Sequence, residues 1–292
     1  MPKNNILQEI NLKLKDFSKG QRSIATYIIN HYDKAAYMTA QKLGQAANVS
    51  ESTVVRFAFE LGYDGYPELQ NDLKEMIKNK LTAVQRIDVA NEQIGTTDVY
   101  DKVMNIDIEK IKKTLDEISR DDFNKAVDYI LSAKNIYILG SRSALVLARF
   151  LSLYFNIIFD NVKLVDTTSS TEMYEHIMRI GKDDIIIGIS FPRYSKRSAR
   201  ALEFASTNKA KVIAITDSKL SPIAEHADCL LLAKSDMVSF VDSLVAPLSL
   251  INSLIVAVGL KKREELKKTF HRLESIWDEY EVYQKDDSVN EQ

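Results

Sequence analysis

The sequence predicts an all-α domain followed by a three-layer α/β sandwich on a parallel sheet. Up to about residue 80 the apolar positions recur every three or four residues, as at Leu69, Leu73, Met76 and Ile77, and no run reads as a strand. From Asn135 onward the β-branched runs NIYIL, VKLV, DIIIGI, KVIAIT and CLLLA alternate with helical stretches. Continuous apolar strands between helices belong to a parallel sheet covered on both faces. Between the halves, QRIDVANEQIGTTDVYDKV is polar and carries a Gly-Thr-Thr signal, which puts the boundary near residues 82 to 98. The expected division is a helical domain over 1–81, a linker and connecting helix over 82–110 and the α/β domain over 111–282, with two helices across 98–132.

A chain of 292 residues can bury two cores. Its 39 Lys and Arg against 41 Asp and Glu exclude a polycation or an acidic tail as a description of the whole. Residues 1–80 hold 11 basic and 9 acidic side chains, so the first part is slightly positive and the remainder negative. Cys229 is the single cysteine, has no internal disulfide partner and fits a reducing cytoplasm. The amino terminus interrupts its apolar residues with Lys, Asn, Glu and Asp, unlike a signal peptide, so a cytoplasmic location is expected. Ser243 to Leu260 is uncharged for 18 residues, at the lower limit of a membrane span, but contains Pro247, Asn252 and three serines. A helix buried in the core or in a subunit interface is the expectation there, with no membrane partner and a homodimer or higher homo-oligomer as the assembly.

In the first half, a helix carrying Leu43 and Ala47 should stop at Asn48, with Thr39 as its cap, and Ser50 can cap a second helix running to Leu61. Val54, Phe57, Ala58 and Leu61 then share one side, leaving Ser52, Arg56 and Phe59 outward. Hydroxyls in a first helical turn bond phosphate oxygens together with free backbone N–H groups, and an arginine one turn later reaches guanine N7 and O6. Short helix pairs are also common as plain hairpins, in which Arg56 is merely solvated. Phe59 either packs on a neighbouring helix or touches a thymine methyl group.

AANVSESTVVRFAFELGYDGYPELQ resembles the amino-terminal DNA-binding domain of RpiR-type transcription regulators, with their V-S-x-x-T-V-V-R-F and L-G-[YF]-x-G-[YF] stretches. The resemblance implies a helix-turn-helix regulator that is dimeric and binds double-stranded operator DNA through Ser50, Ser52, Thr53 and Arg56. Phe59 and Lys42 complete the expected contact set. Many relatives have a basic residue where Phe59 or Glu60 stands.

Parallel α/β sheets bind ligands outside the carboxyl ends of their strands, so the loops GSRSA and SFPRYSKRS are the ones to inspect. They offer Ser141, Arg142 and Ser143, then Ser190, Arg193, Tyr194 and Ser195, each set opening a helix. Hydroxyls, unsatisfied N–H groups and guanidiniums at two helix starts suit a phosphate or carboxylate. With KVIAITDSKLSPIAEHADCLLLA, these loops resemble the sugar isomerase (SIS) domain of the same regulators, which implies a flavodoxin-like sandwich that dimerises and commonly binds phosphosugars. The usual loops are close to G-x-G-x-S and S-x-S-G-x-T. Here Arg142 stands at a glycine and Ala144 at the serine of the first, and Pro192 and Arg193 stand at the Ser-Gly pair of the second. These arginines either grip an anion or fill the pocket.

An isomerase needs a base and an acid within reach of the sugar. Glu172, Glu175 and His176 are the one tempting group, and their i, i+3, i+4 spacing equally describes a wet helix face. No CxxC, HExxH or Walker pattern is present, so no metal or cofactor is expected. The expected function is a non-enzymatic transcription regulator whose SIS domain senses an anionic metabolite, a phosphosugar or related acid. The alternative is a phosphosugar isomerase with a helical appendage.

Overall fold

A computed structural model describes residues 6–77, 81–95, 97–237 and 239–283. The chain forms two compact units, one of Met1–Ile106 with Asp236–Ser243, the other of Asp107–Ser235 with Leu244–Gln292.

The first unit is helical: α1 (Ile6–Leu12), α2 (Lys19–Asn30), α3 (Tyr32–Ala35), α4 (Ala40–Ala46), α5 (Glu51–Glu60), α6 (Tyr66–Ile77) and α7 (Ala83–Ile94). Ser18 opens α2 with a capping box, its hydroxyl accepting from Gln21 N while the Gln21 side chain accepts from Ser18 N. Ile24, Ile28, Leu43, Phe57, Leu69 and Leu73 are fully buried in one core, where the Phe17 and Phe57 rings meet at 5.1 Å. The polar stretch expected as a boundary near 82–98 is helical over α7, because Val89 and Ala90 fall on one side and are buried there. On α7, Arg86 is 2% exposed and pairs with Asp242. Helix α8 (Val99–Glu117) follows, and α9 (Arg120–Ser132) is the second of the two helices expected across 98–132.

The second unit is built on β1 (Ile136–Gly140), β2 (Val162–Val165), β3 (Ile185–Ile189), β4 (Lys211–Thr216) and β5 (Cys229–Leu232), the five runs read from the sequence. All pair in parallel in the order β2-β1-β3-β4-β5. Between them run α10 (Ser143–Ile158), α11 (Ser170–Ile177) and α12 (Lys196–Thr207), and α13 (Val245–Lys261) and α14 (Arg263–Glu279) complete the chain. Ile136, Ile138, Ile187 and Ile213 point to the layer of α9, α10 and α13, whereas Tyr137, Leu139, Ile186 and Val212 point to α11 and α12. That alternation produces the three layers. Gly188 lets α12 approach, since a Cβ there would lie 2.5 Å from Leu202 Cδ1.

The uncharged Ser243 to Leu260 stretch lies largely in α13, where Ala246, Leu250, Ile251, Leu254 and Val258 are buried. Among the described residues no single helix is long and apolar enough to cross a membrane.

Candidate functional site

Two places combine exposed polar chemistry with a rigid support. The first is the α4–α5 pair. Thr39 caps α4, its hydroxyl accepting from Lys42 N at 3.2 Å. Asn48 then turns the chain with φ 57°, a conformation that asparagine tolerates better than most residues. Gly44 is required opposite it, because a Cβ there would lie 2.9 Å from the Val49 carbonyl oxygen. The turn is thereby pressed onto α4, which sets the angle of α5.

On α5, Val54, Phe57, Ala58 and Leu61 are buried while Ser52, Arg56 and Phe59 face solvent. Phe59 is 55% exposed, so packing on a neighbouring helix of this chain is not its role. Arg56 is exposed and rests its Nε on the Ser52 carbonyl at 3.4 Å. The expected cap differs in detail. Ser50 occupies the capping position, but its hydroxyl bonds no helix N–H. It lies instead 2.9 Å from Ser52 Oγ and 2.8 Å from Thr53 Oγ1, within hydrogen-bond distance of both. Three hydroxyls are thus clustered at the start of α5, with Lys42 exposed on the preceding helix.

The second place is the crevice where the strand order reverses. The chain leaves β1 towards β2 on one side and resumes at β3 on the other, so the loops after β1 and β3 stand side by side, with Gly140 in register with Ile189. Gly140 has no room for a side chain, since a Cβ would lie 2.5 Å from the Ala144 carbonyl oxygen. The two loops are tied by hydroxyls: Ser141 Oγ lies 3.2 Å from Ser198 Oγ and accepts from Arg197 Nη2 at 3.3 Å. Ser195 caps α12 through Ser198 N, and its own N–H donates to Ser190 Oγ at 3.4 Å. Ser190 is buried, whereas Arg142, Ser143 and Arg193 are exposed at the rim.

Both rim arginines have left-handed backbones, φ 56° at Arg142 and φ 66° at Arg193. Such conformations favour glycine and cost a side-chain-bearing residue about 1–3 kcal/mol. Sequence reasoning missed the loop after β4. There Tyr194 donates from its hydroxyl to Asp217 Oδ1 at 2.7 Å, and Asp217 is 3% exposed. A single acidic residue after an apolar strand carries no signal of that partnership. The candidate acid–base group is elsewhere: Glu175 and His176 line a depression with Tyr137, Lys163 and Arg179, beside the starts of the strands, and Glu172 accepts from the Thr167 hydroxyl.

Two family matches cover most of the chain. The helix-turn-helix domain of the rpiR family matches residues 4–80, and the SIS domain matches residues 129–257. The HTH-type transcriptional regulator HexR of Escherichia coli (strain K12) is 26% identical over 293 residues, 97% of this chain and 99% of that protein. An HTH-type transcriptional regulator of Caldanaerobacter subterraneus is 23% identical over 266 residues, 90% of this chain and 93% of that one. Two solved structures show the same fold. The sugar isomerase domain of an RpiR transcription factor from Sphaerobacter thermophilus has a TM-score of 0.58 at 24% identity, covering 61% of this chain and 98% of that one. The Vibrio vulnificus NanR protein complexed with ManNAc-6P also has a TM-score of 0.58, at 20% identity, covering 94% of this chain and 99% of that one.

Proposed function

For a chain that belongs to the RpiR-type transcription regulators by its rpiR-family helix-turn-helix domain and its SIS domain, we infer that an anionic metabolite bound in the second domain alters operator binding by the first. One observation carries the inference. Arg142 and Arg193, at the mouth of the switch-point crevice, both keep strained backbones that glycine would adopt freely. A strained backbone that a smaller residue would relieve is explained if the side chain itself is used, and a guanidinium at a helix start serves an anion. The ManNAc-6P complex of NanR, which shares this fold, supports a phosphosugar as the class.

Operator contact falls to α5: Arg56 reads a base, Ser50, Ser52 and Thr53 meet backbone phosphates, Lys42 adds charge, and exposed Phe59 is free to meet a thymine methyl. Assembly is a homodimer in the cytoplasm. The surface for it is the face of α10, α13 and α14, where a groove of about 500 Å³ is lined by Tyr154, Ile255, Leu260, Leu266 and Phe270. Leu153, Val256 and Leu260 are 61%, 59% and 69% exposed on the same helices. The isomerase reading has less support, because Glu175 and His176 lie with the strand starts rather than in the crevice.

A thermal-shift screen with phosphosugars and acidic metabolites, followed by a gel shift with and without the hit, tests the reading. A hit that changes DNA affinity without turnover is expected. Turnover of a phosphosugar by the purified chain, or no effect of any bound metabolite on DNA affinity, would overturn it.

A further inference from the structure

Helix α8 turns one mixed polar and apolar side towards its own chain and carries an apolar stripe on another. Val103, Ile106, Lys110 and Thr114 turn inward and are half-buried or buried, with Thr114 Oγ1 accepting from Lys234 N at 2.9 Å. About a third of a turn away, Met104, Ile108, Ile111 and Leu115 are 47%, 44%, 37% and 57% exposed. Their spacing of four, three and four is the heptad seam of paired helices, so the side chains that fit it come from another helix of the same period.

We propose that this seam is covered by α8 of a second copy, as a parallel pair. The proposal rests on the reading of the chain as an operator-binding dimer, since a two-fold site calls for two copies and the second copy brings an identical seam in matching register. Two features favour the parallel arrangement. Both helix-turn-helix units precede α8 in the chain, so parallel pairing keeps them at one end, where one duplex meets both. Antiparallel pairing would separate their attachment points by the helix length, about 28 Å. The parallel register also places Lys112, which pairs with Glu109 of its own helix at 2.9 Å, near Asp107 of the other copy, which lies 3.8 Å from its own Lys110, so opposite charges alternate beside the seam. Four side chains fall short of the roughly 800 Å² per partner that a stable dimer needs, so the seam adds to the contact made by α10, α13 and α14. Its task is to couple the two copies where each chain leaves its helix-turn-helix unit.

Cysteine cross-linking of the full chain tests this, because Cys229, the only native cysteine, is 1% exposed. Ile108→Cys and Ile111→Cys should each give a covalent dimer under mild oxidation, and Glu109→Cys, on the outer side of the helix, should not. Equal cross-linking at Glu109→Cys, or none at either seam position, overturns the pairing. A covalent dimer formed only when Ile108→Cys and Ile111→Cys proteins are mixed overturns the parallel register. A second measurement uses a duplex selected from a random library by the unmodified protein. The Ile108→Glu/Ile111→Glu variant should bind it at least tenfold more weakly with unchanged circular dichroism, and unchanged affinity overturns the proposed task. Should the unmodified protein select no duplex while the seam cross-links, the seam stands and the regulator reading fails.

Discussion

Arg86 and Asp242 are separated by 156 positions in the sequence and joined by a 2.8 Å hydrogen bond between Arg86 Nη1 and Asp242 Oδ1. The guanidinium is 2% exposed and its Nε, also buried, bonds no acceptor among the described residues, where this carboxylate is the acceptor that answers the charge. Breaking such a pair from one side leaves an uncompensated buried charge, a loss of about 3–5 kcal/mol. Asp242→Ala should therefore lower the denaturant midpoint strongly, whereas Arg86→Met combined with Asp242→Leu should recover most of the loss. Equal stability of Asp242→Ala and the unmodified chain in urea would show that water reaches Arg86.

Arg56→Ala should abolish sequence preference while leaving the fold intact, because Arg56 points away from Val54, Phe57 and Leu61. A bidentate arginine on guanine accounts for about 1–3 kcal/mol of discrimination. Ser52→Ala should weaken all sequences alike. Footprinting of the purified variants separates the two outcomes, and an unchanged footprint removes Arg56 from the reading set.

The crevice arginines allow a test in which stability and affinity move in opposite directions. Arg142→Gly or Arg193→Gly relieves backbone strain of about 1–3 kcal/mol against about 0.5–1 kcal/mol of added chain entropy, so stability should hold or rise by up to about 2.5 kcal/mol. The same change removes charge-assisted hydrogen bonds of about 1.5–3 kcal/mol, roughly ten- to hundredfold in anion affinity. Operator binding without ligand should survive. Stronger phosphosugar binding by either variant, read by calorimetry, would make the arginines plugs.

Gly140→Ala should destabilise the second unit by about 1–3 kcal/mol or more, because the added Cβ meets the Ala144 carbonyl oxygen at 2.5 Å and the backbone has to shift. The start of α10 would move with it. A loss of ligand response larger than the fall in melting temperature explains is the expected signature, and a variant with normal melting would contradict the close approach.

Much of this was legible in the sequence because period and position report burial directly. Five apolar runs became five parallel strands, and the split of Val54, Phe57, Ala58 and Leu61 from Ser52, Arg56 and Phe59 followed from helical spacing alone. The α7 helix was obscured because its charged Arg86 sits on the buried side, where only a partner far along the chain makes it tolerable. Tyr194 and Asp217 met through a loop conformation that spacing does not encode. The positive φ angles were illegible too, since an arginine gives no sign of a backbone that glycine would prefer.

Residues 236–243 belong with the first unit although the chain on either side of them belongs with the second. No single cut therefore releases two whole parts. A fragment ending at Ile106 keeps Arg86 but lacks Asp242, and it loses Met237, which packs against the helical core. The complementary fragment carries a loop whose seat has been removed. Dissection of this protein into separately expressed pieces would misrepresent both, unless the loop is shortened in one and its carboxylate is supplied, or its need abolished, in the other.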